Sequence, residues 1–374
     1  MKKKLAIVTG YDMRNFAGSE RYIIELAKRV KRYYNVKIFS MRNEKDVRVN
    51  DRELIKHLNG IKLEWYKAFT IPKSLDRVPL KLSGLKAYIS LRKYDVVYFI
   101  DPSLTAIASA LLVLKFSKTK FIFGLHIPIA SRLRRRSGIK RIYDLIYRAV
   151  LFSVPNIHVL NSDDYNLIKD SGYKGNLYLI PNFLYIKPDK PKDNKKFIAL
   201  FVGRLAIYHK GLDYLADIIK RVLKLNKDIE FHIAGSGEGK SIIEELTKAY
   251  PKNVIYKGFL LDKDLEKEYK NAAIFIVTSR METFSLVTLE AQAHGLPVIS
   301  FDIAGPNEII KDGLTGKSIK PFDTDKFAKA ILDYYDLWRK GRLNKELKEK
   351  IIKLTFDRYS DKKIIPQIIK MLSN

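Results

Sequence analysis

Short apolar strands alternate with amphipathic helices twice along this chain, and strands buried on both faces leave few folds open. Leu5-Ala6-Ile7-Val8-Thr9 is one such strand. A loop from Gly10 to Gly18 follows, then helical spacing of Ile23, Leu26, Ala27 and Val30. Val36-Lys37-Ile38-Phe39 completes a strand–helix–strand unit, and residues 96–100, 120–124 and 157–160 read as further strands. Tyr185-Ile-Lys-Pro-Asp-Lys-Pro-Lys-Asp-Asn-Lys-Lys196 has two prolines and no apolar period, so it reads as a linker. The cadence then restarts. Strands are expected over 197–202, 229–234, 254–256, 273–277 and 298–301, with helices over 211–223, 240–250 and 264–271. The pattern predicts an α/β protein of two Rossmann-like, doubly wound domains, which bind ligands at strand C-terminal ends facing a cleft. The expected boundaries are 1–185, 186–355 and a terminal helical segment 356–374.

Composition narrows the chemistry. There is no cysteine, which excludes disulfides, thiol nucleophiles and thiolate-bound metals. His57, His126, His158, His209, His232 and His294 show no metal-ligand spacing, so no metal is expected. The apolar run 104–114 is too short to span a bilayer, and the run after Met1-Lys2-Lys3-Lys4 reads as a strand rather than a signal segment. A cytoplasmic protein follows as the expectation. Lysine, isoleucine and tyrosine are abundant and glutamine occurs only at Gln292 and Gln367, a bias that fits a thermophile.

The net charge is +29, with +20 carried by residues 1–185 and +9 by the remainder. Residues 115–150 hold ten lysines and arginines against Asp144 alone. Such a field favours an anionic partner: nucleic acid, phospholipid or a phosphorylated substrate.

The second half carries the specific motifs. Gly203-Arg204-Leu205 follows a strand and Lys210-Gly211 opens the next helix, an arrangement of cations that suits a diphosphate. Gly235-Ser-Gly-Glu-Gly239 also links strand to helix, but its GxGxG spacing is not that of a dinucleotide loop. A tight turn near the ligand is the modest reading. Lys257-Gly258-Phe259 ends the next strand. Glu282 stands just before a helix and Glu290 inside it, with Phe284, Ser285 and Leu286 at the helix start where N–H groups lack intrahelical acceptors. The acids could simply favour the helix dipole, or face a ligand.

The order of these elements, continued by Gly295-Leu-Pro-Val298, Gly305-Pro-Asn-Glu308 and Asp312-Gly-Leu-Thr-Gly316, resembles the retaining GT-B glycosyltransferases of family 4, the glycosyl transferases group 1. The likeness is strong over about 197–320 and looser in the first half. It implies that Glu282 contacts donor-sugar hydroxyls, that Glu290 holds the ribose, and that Phe284, Ser285 and Leu286 offer N–H groups to the diphosphate. Arg204, Lys210, Gly235, Gly258 and Phe259 complete the implied donor site. In the first half, Ala17-Gly18-Ser19-Glu20-Arg21 resembles the family's glycine-rich loop with alanine for the first glycine, leaving Gly18 to approach donor phosphate or acceptor. His126, ending Gly124-Leu-His126, matches the histidine that lies against the transferred sugar. Asn161-Ser162 and Pro181-Asn182 match less closely. The terminal stretch from Phe356 resembles the family's last helix, which crosses back to the first domain, and Pro366 in it suggests a kink or late start.

The resemblance implies transfer of a hexose from a nucleotide-diphosphate sugar to an acceptor hydroxyl with retained configuration. Arg204, Lys210 and helix N–H groups would stabilise the leaving diphosphate without a metal, and His126 and Glu282 would face the reacting sugar. Because Ser131-Arg-Leu-Arg-Arg-Arg136 precedes a helical stripe of Ile139, Ile142, Tyr143, Ile146, Ala149 and Val150, the expected acceptor is a lipid-linked glycan at an anionic membrane surface. The same stripe could pack on the domain's own sheet, with a soluble sugar or sugar-phosphate as acceptor. Nucleic-acid binding would account for the charge but not for the glutamate pair, and no specific nucleic acid is expected.

Overall fold

The computed structural model describes every residue except 1, 44–46, 68, 71–76, 79–81, 116, 129–138 and 189, with side chains also left out at 69–70, 77–78, 82–83 and 139–143. The chain forms two compact units: Met1–Asn182 with Ile364–Asn374, and Phe183–Lys363.

The first unit holds seven parallel strands: β1 (Lys4–Thr9), β2 (Asn35–Met41), β3 (Lys62–Tyr66), β4 (Val96–Ile100), β5 (Lys120–Leu125), β6 (Asn156–Val159) and β7 (Asn176–Leu179). They lie in the order β3-β2-β1-β4-β5-β6-β7. The second unit holds β8 (Ile198–Val202), β9 (Glu230–Ala234), β10 (Val254–Gly258), β11 (Ile274–Val277), β12 (Val298–Phe301) and β13 (Gly316–Ile319), in the order β10-β9-β8-β11-β12-β13. In each sheet the order reverses beside its first strand, which opens a crevice at the C-terminal edge. The two Rossmann-like, doubly wound domains expected from sequence are present.

Central strands are apolar throughout because helices cover both faces. Val96 to Ile100 are all buried, as are Ile274 to Val277. Helix Leu212–Leu225 buries Leu212, Leu215, Ile218, Ile219, Val222 and Leu223, the three-to-four spacing of one face. Each such side chain contributes about 2 kcal/mol of burial. The strands missing from the sequence reading lie at sheet edges. β3 is Lys-Leu-Glu-Trp-Tyr and β13 is Gly-Lys-Ser-Ile, each interrupted by polar residues, and β7 is the short Asn-Leu-Tyr-Leu with none of its residues buried.

The expected linker segment is bonded to the second unit at Lys192 and Asn194. Asn194 donates to the Asn271 carbonyl at 2.9 Å. The buried Lys348 ammonium reaches the Lys192 carbonyl at 2.5 Å and also bonds the Asn194 side chain. Loss of hydration at Lys348 lowers its pKa. Those carbonyl and amide oxygens compensate a lysine that could not otherwise be buried. At the C-terminus, helix Lys345–Tyr359 ends before Ser360 and helix Asp361–Ser373 begins anew, carrying Pro366 in its second turn. Among the described residues, no helix is long and apolar enough to cross a membrane.

Candidate functional site

In the second unit the loops after β8, β9 and β10 are laced together by their backbones. Gly203 N–H donates to the Ala234 carbonyl at 3.0 Å, Leu205 N–H to Ser236 at 2.9 Å, and Gly235 N–H to Gly258 at 2.7 Å. This close approach explains Gly235. Its φ is +150°, and a Cβ there would fall 1.8 Å from the Gly203 carbonyl oxygen. The Gly235–Gly239 stretch thus fixes the loop that bears Arg204. Gly258 also has positive φ, +67°, but faces open space, and Phe259 beside it is half-buried.

Arg204 itself is exposed, and among the described residues its guanidinium has no ion-pair partner. Lys210 ends the short helix Ile207–Lys210, and Gly211 turns the chain into the next helix. Its side chain passes Gly203, where a Cβ would sit 3.7 Å from Lys210 Cε. The Lys210 carbonyl accepts from Thr278 Oγ1 at 2.9 Å, which ties this turn to the end of β11. The Lys210 ammonium lies 2.5 Å from Glu282 Oε1. Ser279 Oγ donates to that same oxygen at 2.7 Å.

Helix Leu286–Ala293 starts four residues after Glu282. Its cap residue Ser285 is left-handed, with φ +65°, and is held by a 2.8 Å hydroxyl contact with Thr288. Phe284 is buried, with its ring edge-on to Tyr359 at 5.6 Å. Among the described residues the N–H groups of Phe284, Ser285 and Leu286 make no hydrogen bond. Three bare donors, an exposed guanidinium and a lysine–glutamate pair therefore lie on loops at one edge of one sheet. Donors and cations can bind phosphate oxygens, and a carboxylate can accept from sugar hydroxyls.

Glu290 occupies different surroundings from Glu282. It is buried, Tyr269 donates to its Oε2 at 3.1 Å, and the Tyr185 hydroxyl donates to Oε1. Tyr269 in turn stacks on His294 at 4.9 Å. Sequence reasoning missed Ser279, Tyr185 and Tyr269. A serine three residues before a glutamate is a detectable signal, but nothing in the sequence links Tyr185 to a helix more than a hundred residues away.

In the first unit, His126 directly follows β5, and its N–H donates to Asp101 Oδ1 at 2.6 Å. Its Nε2 meets Tyr98 Oη at 3.1 Å. Gly18 is the first residue of helix Gly18–Val30, and Ala17 before it has φ −83°, ψ −171°, a conformation open to any residue. Alanine therefore fits where the family has a glycine. Glu20 accepts from the Ala17 N–H at 3.1 Å, and burial pushes its carboxyl up to about 7. Arg132, Arg134, Arg135 and Arg136 lie outside the described residues.

The model of the family described as glycosyl transferases group 1 matches residues 184–370, half of the chain. An uncharacterized glycosyltransferase of Methanocaldococcus jannaschii, MJ1607, is 36% identical over 139 residues, which cover 37% of this chain and 35% of that protein. An uncharacterized 41.2 kDa protein in the cps region of Klebsiella pneumoniae is 28% identical over 264 residues, 67% of this chain and 71% of that one. Among solved structures, Anabaena Alr3699/HepE in complex with UDP and glucose superposes with a TM-score of 0.77 over 100% of both chains at 16% identity, a likeness of fold. The fold is thus GT-B, and the chain belongs to the glycosyl transferases group 1.

Proposed function

We propose that the protein is a retaining glycosyltransferase that moves a hexose from a nucleotide-diphosphate sugar to an acceptor hydroxyl. The observation that carries this reading is the Lys210–Glu282–Ser279 cluster beside the bare N–H groups of Phe284, Ser285 and Leu286. A donor sugar diphosphate presents both anionic oxygens and hydroxyls, and this cluster offers a partner to each. In transfer, the bond from the anomeric carbon to the β-phosphate oxygen breaks and a bond to the acceptor oxygen forms on the same face. The acceptor proton passes to the departing phosphate. Negative charge grows on that phosphate, so preorganised Arg204, Lys210 and helix-start donors lower the barrier without a metal. Glu282 orients the sugar, and Glu290, held by its two tyrosines, accepts from the ribose. The UDP and glucose in HepE, a protein of the same fold, agree with this class of donor. The test is a mass-spectrometric screen against a panel of nucleotide sugars. Release of nucleoside diphosphate from one of them supports the reading, and inertness toward all with no thermal stabilisation removes it.

The acceptor proposed is a lipid-linked glycan reached from an anionic membrane surface. Helix Ile139–Phe152 turns Tyr147 and Leu151 inward and leaves Leu145 and Ile146 56% and 50% exposed. Helix Leu104–Leu114, which packs against it, leaves Leu112 81% exposed. Exposed apolar residues on two packed helices, with Arg132, Arg134, Arg135 and Arg136 preceding one of them in sequence, suit a lipid interface better than open water.

A further inference from the structure

Three rings of the first unit form one hydrogen-bonded chain, and its polarity can be worked out from the far end. His158 Nε2 lies 2.7 Å from the Ile180 carbonyl oxygen. A carbonyl only accepts, so the hydrogen is on Nε2. Burial holds the His158 pKa down at about 4, so near neutral pH its Nδ1 is a bare lone pair. Tyr98 Oη, 2.6 Å from that Nδ1, must therefore donate to it. With its one hydrogen committed, the same oxygen accepts from His126 Nε2 at 3.1 Å. Burial and the neighbouring His158 keep His126 well below the ordinary imidazole value, so it too is neutral. A neutral ring with its hydrogen on Nε2 has an unprotonated Nδ1. That atom makes no hydrogen bond among the described residues.

The backbone is shaped for this chain. Gly124 lies opposite His158 across β5 and β6, and a Cβ on it would fall 2.6 Å from Tyr98 Oη. A larger residue at 124 would therefore displace the hydroxyl that joins the two histidines.

We propose that Tyr98 and His158 are positioning residues that lock His126 in its Nε2–H tautomer, so that His126 presents Nδ1 as an acceptor to a ligand hydroxyl. Its use toward a sugar rests on the glycosyl-transfer reading, whereas the tautomer itself does not. Nitrogen-15 NMR of the histidine rings in the full, unliganded chain at pH 7 separates the two, with His126 assigned by its loss in His126→Gln. Wild type should show a pyrrole-type Nε2 and a pyridine-type Nδ1 for His126. Tyr98→Phe keeps the ring but removes the acceptor and should populate the other tautomer. A His126 protonated on Nδ1 in wild type, or a tautomer unchanged in Tyr98→Phe, overturns the proposal. Should Tyr98→Phe fail to fold, the wild-type spectrum still decides. With the donor found by the nucleotide-sugar screen, Tyr98→Phe should raise KM or lower kcat by about tenfold, the scale of one misdirected hydrogen bond. A screen that finds no donor defeats the transfer reading and leaves the tautomer result standing.

Discussion

The ammonium of Lys210 rests 2.5 Å from Oε1 of Glu282, where Ser279 also donates. The cation and the anion proposed to serve different parts of one donor thus neutralise each other. A bound diphosphate would compete for Lys210 and leave Glu282 free to accept from hydroxyls. Lys210→Ala should cut kcat/KM on the order of a hundredfold, and Arg204→Ala should do likewise. Because Lys210 and Glu282 share an ion pair, Lys210→Ala with Glu282→Ala should cost less than the product of the single losses. Strict multiplicativity in steady-state kinetics would mean that the pair does not act as a unit.

Glu282 and Glu290 should separate kinetically. Glu290→Ala removes a ground-state contact and should mainly weaken binding of the nucleotide diphosphate, while Glu282→Ala should mainly lower kcat with donor still bound. Calorimetry that finds unchanged nucleotide affinity in the Glu290 variant would count against its ribose role. Chelation of divalent metals should leave wild-type turnover intact, and loss of turnover in chelator would replace the cation-only account of the leaving group.

Two glycines with positive φ should differ sharply. Gly235→Ala brings a Cβ to 1.8 Å from the Gly203 carbonyl oxygen, so the Arg204 loop must move. Gly258→Ala meets nothing within 4 Å, and its cost is the left-handed backbone alone, roughly 1 kcal/mol. Denaturant melts should place Gly235→Ala well below Gly258→Ala in stability. Equal midpoints would show that the loop yields freely.

Buried groups of the first unit pull its pH dependence in opposite directions. His158 protonates in the folded chain only at about 4. The unfolded chain binds that proton near the ordinary imidazole value, so its share of stability is lost as pH falls between the two, on the order of 3 kcal/mol. Glu20 keeps its proton up to about 7 when folded. Its share is present below the ordinary carboxyl pKa and lost as pH rises through 7. Glu20→Gln should therefore stabilise the protein at pH 8 and make little difference at pH 4. A variant equally destabilised at both would mean that the buried charge carries no penalty.

Fully buried strands were legible because short apolar runs such as Val96 to Ile100, repeated between helical patterns, suit a parallel sheet covered on both faces. β3, β7 and β13 were not, since these edge strands are short or broken by polar residues. Arg204, Lys210 and Glu282 stood out as charges at strand–helix junctions, and Glu290 by its spacing from Glu282. Their partners did not. Ser279 and Tyr185 reach the glutamates only through tertiary packing, as do Tyr98 and His158 with His126. A tyrosine within an apolar strand has the same local pattern whether its hydroxyl is idle or joins two histidines.

The membrane prediction unites the charge of the first unit with its exposed apolar side chains. Ile146 and Ala149 of the expected stripe face outward on helix Ile139–Phe152, while Asp144, Tyr147 and Leu151 are buried beneath them. Val150 of the same stripe packs against the core, and the side chains of Ile139, Ile142 and Tyr143 lie outside the described residues, so Ile146 and Ala149 are the stripe residues shown to be exposed. Leu112 on the adjoining helix is exposed as well. Each exposed leucine or isoleucine that enters lipid gains on the order of 2 kcal/mol, and each arginine near anionic headgroups adds roughly 1 kcal/mol. Together these suffice for reversible attachment. Vesicles containing phosphatidylglycerol should sediment the protein at low salt, and binding should weaken as salt screens the charges. Leu112→Ser with Leu145→Ser and Ile146→Ser should reduce binding at every salt concentration. Replacing Arg132, Arg134, Arg135 and Arg136 by serine should remove chiefly the salt-sensitive part. Neutral phosphatidylcholine vesicles should bind poorly. If anionic vesicles at low salt leave the protein in the supernatant, the acceptor is reached from solution and a soluble sugar or sugar-phosphate takes the place of the lipid-linked glycan.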